Sequence, residues 1–197
     1  MRSPRDRMVL SAALLIRERG AHATAISDVL AHSGAPRGSA YHYFPGGRTQ
    51  LLCEAVDLAG DHVGDIIAEA ESGLALLDTL IDKYRRQLLD SDFRAGCPVV
   101  AVSVESGSEE DRVRMEPVTE RAAAAFDRWT DLIAQRFISD GVPAGAANEL
   151  AVLATSALEG AIVLARARRD VAPLEIIHRQ LRNSVLAALE GKFSDDR

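Results

Sequence analysis

The sequence predicts an all-α protein with a small three-helix domain at its N-terminus and a larger helical bundle behind it. Of the 197 residues 47% are hydrophobic and only 5% aromatic, a composition typical of soluble globular proteins that can fill a core. Apolar residues recur at helical spacing, and few stretches alternate apolar and polar residues as half-buried strands do. Gly and Pro stand where such helices would begin and end.

The first fifty residues predict three helices that pack as one domain. Residues 5–19 carry apolar side chains on one helix face and are followed by Gly20, a typical helix C-cap. Thr24 is predicted to cap a second, short helix that ends at Gly34. A third helix is predicted over Pro36–Tyr43, because proline suits the first turn of a helix. Such a set around a tight glycine turn is the arrangement of helix-turn-helix DNA-binding domains.

A long apolar repeat from Arg48 to Glu71 predicts a helix that links two domains. The first domain, residues 1–47, would bind DNA, and the second, residues 48–197, would bind a ligand and dimerise. Further helices are expected over residues 74–88, from Pro98 to near Glu105, from Pro117 to Ser139, and over residues 144–169 and 173–190.

Charge is distributed unevenly along the chain. The net charge of −6 by itself argues against a nucleic-acid partner. Residues 1–50, however, contain seven arginines and three acidic residues, a net charge of +4, which leaves −10 on the remainder. Because arginines that neutralise phosphates supply most non-specific affinity for DNA, a basic head on an acidic body fits a protein that offers one end to a polyanion. Chance variation in a short segment explains the same asymmetry equally well.

Cysteine and histidine spacing predicts no metal site, no disulfide framework and no cofactor. Cys53 and Cys97 lie far apart, outside any CxxC or Cys/His cluster. The charged N-terminus lacks the pattern of a signal peptide, so a cytoplasmic protein is expected. Residues 146–165 approach the length of a membrane span, but Glu149 and Glu159 disfavour insertion, and no membrane partner is expected.

An ordered set of residues spans Thr24–Leu51 near the N-terminus. It consists of Thr24, Ile26, Val29, the turn Ser33-Gly34-Ala35, then Arg37-Gly38-Ser39, Tyr41-His42-Tyr43-Phe44, Arg48 and Leu51. This set resembles the DNA-binding domain of TetR-type repressors. The phrases Gly34–Ser39, Phe44–Gly47 and Gly96-Cys97-Pro98 are similar to the branch typified by lincomycin-resistance repressors.

Three positions depart from the family pattern. Ala40 replaces a larger aliphatic residue, Gly46-Gly47 lengthens a loop by one residue, and Ala25 replaces a frequent hydroxyl residue. The first departure bears on how the third helix packs, and the second on where Arg48 lies.

The resemblance implies that the third helix enters the major groove of DNA. Arg37, Ser39 and His42, with Gly38 between the first two, are then expected at base edges or flanking phosphates. His42 is the residue whose charge would respond to pH, although no metal-ligand set surrounds it.

Four further residues are expected to hold the DNA backbone, each with an ordinary alternative. Tyr41 and Tyr43 would donate their hydroxyls to phosphates, whereas Tyr43 equally fits a packing role beside Phe44. Thr24 and Arg48 would meet phosphates at helix starts; alternatively, Thr24 is only a cap and Arg48 only a solvated charge.

The large C-terminal domain is expected to hold a sensing pocket for a small hydrophobic effector. Aromatic side chains suit such a lining, although each fits an ordinary core equally well. The candidates are Tyr84, Phe93, Phe126, Trp129 and Phe137.

The last two predicted helices are assigned to a homodimer interface, because their Ala-rich faces permit close approach. Those faces are Ala147, Leu150, Ala151, Ala154, Ala157, Leu158 and Ala161, then Ile177, Leu181, Val185 and Ala188. A two-fold dimer places its recognition helices about 34 Å apart and requires a palindromic operator. The family resemblance implies a repressor that the effector releases by shifting populations between two domain arrangements.

Two alternatives remain at this point. An enzyme is disfavoured: the acid pairs Glu109-Glu110 and Asp195-Asp196 lie in polar segments, and no catalytic residue set, phosphate loop or nucleophile elbow accompanies them. The second alternative is a helical ligand-binding or scaffold protein with a degenerate DNA-binding head.

Overall fold

The computed structural model of the protein describes residues 3–105 and 107–191, and Asp195-Asp196 lies outside them. Within those residues, nine helices and their connections form an all-α structure without strands, as predicted. In chain order the helices are α1 (Pro4–Arg19), α2 (Ile26–Ser33), α3 (Ser39–Tyr43), α4 (Gly47–Glu69), α5 (Gly73–Asp90), α6 (Pro98–Val104), α7 (Glu109–Ser139), α8 (Ala144–Arg168) and α9 (Ala172–Leu189).

Packing divides the described chain into two compact units. Unit 1 consists of Met1–His62 and Ala95–Ala125, and unit 2 consists of Val63–Arg94 and Phe126–Arg197. Residues of α4 and α7 therefore belong to both units. The domain boundary between residues 47 and 48 stays a prediction about which part of the chain folds independently.

Helix α1 begins and ends with the local signals that its sequence contains. The Ser3 hydroxyl accepts a hydrogen bond from the Asp6 amide (3.1 Å), and the Asp6 carboxylate accepts one from the Ser3 amide (3.3 Å). This reciprocal pair is a capping box. Gly20 ends the helix at a φ of +86°, a conformation that favours glycine.

Two predictions about α2 and α3 are wrong in detail. Ala25, not Thr24, is the N-cap of α2, where the Asp28 carboxylate accepts a hydrogen bond from the Ala25 amide (3.3 Å). Helix α3 begins at Ser39 rather than Pro36, because the preceding residues form a turn closed by the Ser39 amide on the Pro36 carbonyl (3.0 Å). The helix-turn-helix is thus present, and its second helix, α3, has only five residues.

Unit 1 is built on the packing of α1 against α2 and α6. Met8, Val29 and Phe44 are almost fully buried in its core. Arg5 covers the Phe44 ring at 5.4 Å from its centroid and pairs with both carboxylate oxygens of Glu54. The chain that enters α6 is tied to α1, since the Gly96 amide donates to the Arg17 carbonyl (2.8 Å).

Helix α7 begins at Glu109, well before the start predicted at Pro117, which lies inside it. A second capping box explains the difference: the Asp111 amide donates to the Ser108 hydroxyl (3.2 Å), and the Asp111 carboxylate accepts from the Ser108 amide (3.3 Å). The Ser108 hydroxyl also donates to the Asp111 carboxylate (2.8 Å), and this hydrogen bond, together with that from the Ser108 amide, holds the pKa of Asp111 below its ordinary value. The capping box therefore outweighs the general preference of proline for a first turn.

Unit 2 contains a bundle in which α5, α8 and α9 pack on one another. Phe137, from the part of α7 in this unit, is fully buried. It lies so close to Gly73 that a β-carbon there would overlap its ring. Gly73 is therefore required by space and not by its backbone conformation.

Helix α8 is apolar on two faces. By length and composition it is able to span a bilayer, a property shared by core helices of soluble proteins.

Most residues that the sequence assigned to the dimer interface are buried within a single chain. This holds for the assigned residues of α8 except Ala157, which is half-buried, and for Leu181, Val185 and Ala188 of α9. That assignment is wrong for these buried residues. Different apolar residues of α8 are exposed: Val152, Leu153, Val163 and Leu164.

Substitution of Gly73 tests the close packing in unit 2. Gly73→Ala is expected to lower the free energy of unfolding by about 1–3 kcal/mol, because the core is overpacked. Gly145→Ala in α8 is the matched control: a β-carbon there meets nothing within 4 Å. The control is expected to be neutral or stabilising by up to about 1 kcal/mol. Urea unfolding followed by circular dichroism measures both, and equal losses would contradict the packing described.

Candidate nucleic-acid interface and interior cavity

Helix α3 points two side chains outward because two others point inward. Ala40 and Phe44 are each only 1% exposed and lie one helical turn apart, so they hold α3 on the core of unit 1. Tyr41 is 75% exposed, and His42 is exposed beside it. The small side chain of Ala40 fits this buried position.

The turn before α3 presents a cation and an open backbone. Arg37 is exposed and has no hydrogen bond or ion pair among the described residues. Gly38 is exposed as well, and a β-carbon there would meet nothing within 4 Å. The Ser39 hydroxyl, by contrast, donates to the Pro36 carbonyl (2.6 Å), so that its remaining capacity is as an acceptor.

Tyr43 occupies an intermediate position at the end of α3. Its side chain is half-buried, and its ring meets the His42 ring edge-on with centroids 5.1 Å apart. Packing and a contact outside the protein are both compatible with this placement.

Thr24 lies in the interior and not on the surface. It is 1% exposed, and its hydroxyl donates to the Gly20 carbonyl (2.7 Å). A phosphate therefore does not reach this hydroxyl in the folded unit. Thr24 is also not the N-cap of α2, which is Ala25, and its contact with DNA stays a prediction.

Arg48 holds the loop between α1 and α2. Its guanidinium donates to the carbonyls of Thr24 (2.9 Å), Ala21 (2.5 Å) and His22 (3.3 Å). Burial lowers the pKa of Arg48 below its ordinary value, an effect that the nearby Glu105 charge opposes. Arg48 is thus a half-buried support of the loop and not simply a solvated charge, and its contact with a phosphate stays a prediction.

A carboxylate from α6 binds the same loop. Glu105, the C-cap of α6, accepts a hydrogen bond from the His22 amide (3.1 Å) and contacts the His22 ring nitrogen Nδ1 (3.0 Å). Sequence reasoning missed this pair. The two residues are 83 positions apart, and no spacing rule relates them.

Unit 2 encloses an apolar cavity of about 20 Å³ between α4, α5, α7, α8 and α9. That volume holds about one water molecule. Thr155 and Glu159 of α8 line it and also line an open groove of about 260 Å³ beside it. The Thr155 hydroxyl is buried and has no hydrogen-bond partner among the described residues. Most of the remaining lining is aliphatic, with Ile67, Leu77, Ile81, Ile133, Leu158 and Leu181 among its members.

The five aromatic residues predicted for a ligand pocket do not lie together. Tyr84 and Trp129 line the cavity, and Phe126 lines the adjoining groove, where its ring meets Trp129 edge-on at 5.5 Å. Phe93 instead lies under the Arg169 guanidinium, 5.7 Å from its centroid, and Phe137 is packed in the core against Gly73. The presence of an aromatic residue in the sequence therefore did not distinguish the cavity lining from the core. The aliphatic residues of the lining have no sequence feature that sets them apart from other core residues.

Comparison with known proteins identifies the family. Residues 9–55 match the family described as bacterial regulatory proteins of the tetR family, and residues 74–180 match the C-terminal domain of LmrA/YxaF-like transcriptional regulators. The chain belongs to the TetR family of transcriptional regulators. An uncharacterised HTH-type transcriptional regulator of Mycobacterium tuberculosis is 76% identical over 189 residues, which are 96% of this chain and 97% of that protein.

More distant members of the TetR family share the fold over most of the chain. The HTH-type transcriptional regulator LmrA of Bacillus subtilis is 25% identical and covers 86% of this chain and 90% of its own. A crystal structure of a TetR regulator from Chloroflexus aurantiacus has a TM-score of 0.73 and 30% identity over 93% of this chain and 94% of its own. TetR regulators bind DNA and act as dimers. This TetR protein is accordingly a DNA-binding transcriptional regulator and not an enzyme.

Substituting two arginines, one that holds a loop and one that is exposed, distinguishes a structural role from a surface role. Arg48→Met is expected to lower the free energy of unfolding by about 1–3 kcal/mol, because the loop carbonyls lose a charged donor. Arg37→Met, on the exposed turn, should change it by less than about 0.5 kcal/mol. Thermal and urea unfolding measure both; a stability loss at Arg37 equal to that at Arg48 would refute the distinction.

Proposed function

We propose that this TetR protein is a cytoplasmic repressor that binds a palindromic operator as a homodimer and is released by a small hydrophobic molecule. The observation that carries the DNA half of the proposal is the exposed surface of Arg37, Gly38, Tyr41 and His42 at α3, held outward by buried Ala40 and Phe44. We call these four residues the recognition surface.

The residues of the recognition surface have two proposed roles: some position the protein on the DNA backbone, and others read the edges of the bases. Tyr41 is the phosphate contact, since a phenol donates to a phosphate oxygen while its ring packs on the sugar. Arg37 and His42 reach base edges, where an arginine pairs well with guanine. The open backbone at Gly38 admits a close approach of the DNA strand. Ser39 contributes as an acceptor, and Tyr43 packs beside His42.

The exposed apolar side of α8 supports the dimer. Leu153, Val163 and Leu164 are about half exposed, and Gly160 lies between them with open space where a β-carbon would be. Glycine inside an exposed helix costs about 1 kcal/mol relative to alanine, so close approach of another helix offers a reason for its presence. Ile176 and Leu186 of α9 are similarly exposed. A second copy of the chain is the proposed occupant of this face.

Release from DNA requires a ligand that distinguishes two states of the protein. The unit 2 cavity is far smaller than a typical ligand pocket of roughly 300–1,000 Å³, so an organic effector has to displace side chains to enter. Binding is then coupled to rearrangement, and the effector lowers the operator-bound population only to the extent that it binds the released arrangement more tightly than the DNA-bound one.

A gel-shift assay on DNA flanking the gene of this protein tests operator binding. Tyr41→Ala should weaken binding on every sequence, whereas Arg37→Ala should remove about 1–3 kcal/mol of discrimination between operator and mutated operator. Arg86→Ala, an exposed arginine of α5 in unit 2, is the control and should bind DNA normally. Failure of the wild-type protein to bind any flanking DNA at low salt would sink the repressor proposal, and equal losses on all sequences would reassign Arg37 to phosphate.

A charge placed on the exposed face of α8 tests the dimer. Leu164→Glu is expected to convert the dimer into monomers at micromolar concentration, because a carboxylate would be buried against apolar side chains. Leu89→Glu is the matched control, since Leu89 is 49% exposed on α5, against 47% for Leu164. Sedimentation equilibrium measures both, and a Leu164→Glu protein that remains dimeric would place the interface elsewhere.

A further inference from the structure

We infer that Glu54 is a positioning residue for DNA binding, which acts through Gln50 and Arg5 on the turn that follows α3. Its carboxylate is the centre of a hydrogen-bonded set formed by Arg5, Gly46, Gln50 and Glu54. We call this set the loop network. The inference rests on the proposed function, since the turn directly follows the helix whose exposed side chains are proposed to contact DNA.

The groups of the loop network can be joined in one way only. A backbone amide can only donate, and that of Gly46 donates to Oε1 of Gln50 (2.9 Å). An ionised carboxylate can only accept, and Oε1 of Glu54 accepts from Nε2 of Gln50 (3.0 Å). Both neighbours therefore require the same orientation of the Gln50 amide group, and turning that group over would break both hydrogen bonds.

Arg5 joins the Glu54 carboxylate to helix α1 and to the end of α3. One guanidinium nitrogen of Arg5 lies 2.7 and 2.6 Å from the two carboxylate oxygens of Glu54. The same guanidinium lies over the ring of Phe44, the C-cap of α3, at 5.4 Å from its centroid. The turn Phe44–Gly47 is therefore held at its first residue by Arg5 and at its third by Gln50. Glu54 binds both of these side chains.

The turn has little stiffness of its own. It contains the consecutive glycines Gly46 and Gly47, and glycine has the largest backbone freedom of all residues. Gly47, at a φ of +67°, closes the turn through its amide on the Phe44 carbonyl (2.8 Å). Gly46 is fixed by Gln50, which lies so close that a β-carbon at Gly46 would be 3.1 Å from that of Gln50. The loop network thus fixes a turn whose sequence leaves it free.

The loop network bears on DNA contact more than on stability. The side chains of Arg5 and Glu54 are 42% and 24% exposed, and ion pairs that reach solvent contribute little to the free energy of unfolding. A small shift of the turn, however, displaces the exposed side chains of a helix that has only five residues. A binding surface has to be held within about 0.5 Å of its productive geometry, so such a shift costs DNA contacts while the core stays folded.

Electrostatics alone predicts the opposite effect of Glu54 on DNA binding. A carboxylate in the DNA-binding unit repels phosphates, so its removal would by itself strengthen binding to DNA of any sequence. Loss of positioning instead weakens binding to the operator, where side chains have to meet particular bases. The sign of the change therefore separates the two roles.

The variants Glu54→Gln and Gln50→Met test the inference, and the second leaves the net charge unchanged. The probes are duplex DNA flanking the gene of this protein and a scrambled duplex of the same length, with both affinities measured by fluorescence anisotropy. Each variant should lose roughly tenfold in its preference for the flanking DNA. The double variant should lose no more than the weaker single variant, because both changes act on one network. Unchanged or tighter binding of the flanking DNA by Glu54→Gln would overturn the positioning role.

Glu120→Gln is the matched control for the removal of a charge. Glu120 is an exposed carboxylate of α7 in unit 1, without a hydrogen bond or ion pair among the described residues. Its removal should leave the preference for the flanking DNA unchanged, since it affects both duplexes alike. A loss of preference equal to that of Glu54→Gln would attribute the effect to charge and overturn the inference.

Hydrogen exchange at the Gly46 amide, measured by NMR on the free protein, separates this inference from the proposed function. Exchange should be at least about tenfold faster in Gln50→Met, which removes the acceptor, and faster to a smaller extent in Glu54→Gln. The Gly96 amide, bonded to the Arg17 carbonyl elsewhere in unit 1, should exchange as in the wild type and so verifies folding.

The two readouts together distinguish the possible failures. Unchanged exchange at Gly46 overturns the loop network whatever the DNA result. Faster exchange with an undiminished preference for the flanking DNA overturns the positioning role and leaves the proposed operator binding in place. Faster exchange in a protein whose wild type does not distinguish the two duplexes supports the loop network and contradicts the proposed function.

Discussion

The hydrogen bonds of Arg48 to the loop between α1 and α2 are the interaction on which the DNA-binding unit depends. Helix α2 has no side-chain cap at its N-cap residue, Ala25. The loop before it is instead held by two charges of opposite sign from distant parts of the chain. Arg48 binds carbonyl oxygens of the loop, and Glu105 binds the His22 amide. Each charge thus meets the backbone group of complementary polarity, which fixes the position of α2 and with it the turn that leads to α3.

The recognition surface follows from that position and from the shortness of α3. A helix of five residues contributes little stability of its own, because a helical nucleus is costly and few residues propagate it. Burial of Ala40 and Phe44 therefore holds α3 in place. Since these two residues share one side of the helix, Tyr41 and His42 face solvent. The departure from a larger residue at Ala40 is compatible with an intact head, because the position is filled and buried.

Unit 2 combines a nearly filled core with a polar edge. A cavity of about 20 Å³ leaves the core well packed without a ligand, and Thr155 and Glu159 of α8 place polar side chains on its wall. Well-packed interiors respond to an added group by discrete rearrangement more readily than by gradual deformation. Such a core suits a switch, because a ligand that enters it has to select a different arrangement of side chains.

The sequence by itself determined the helical class, which depends on the spacing of apolar residues, and its ordered residues over Thr24–Leu51 carry the resemblance to TetR-type repressors. The predicted start of α7 at Pro117 was wrong because a second local signal, the Ser108–Asp111 capping box, begins the helix earlier in the chain. Only the tertiary structure decided which apolar side of α8 is buried, because both sides have helical periodicity. It also decided the roles of Thr24 and Arg48. Their types suit a phosphate, but burial and partners far away along the chain make one a core residue and the other the support of a loop.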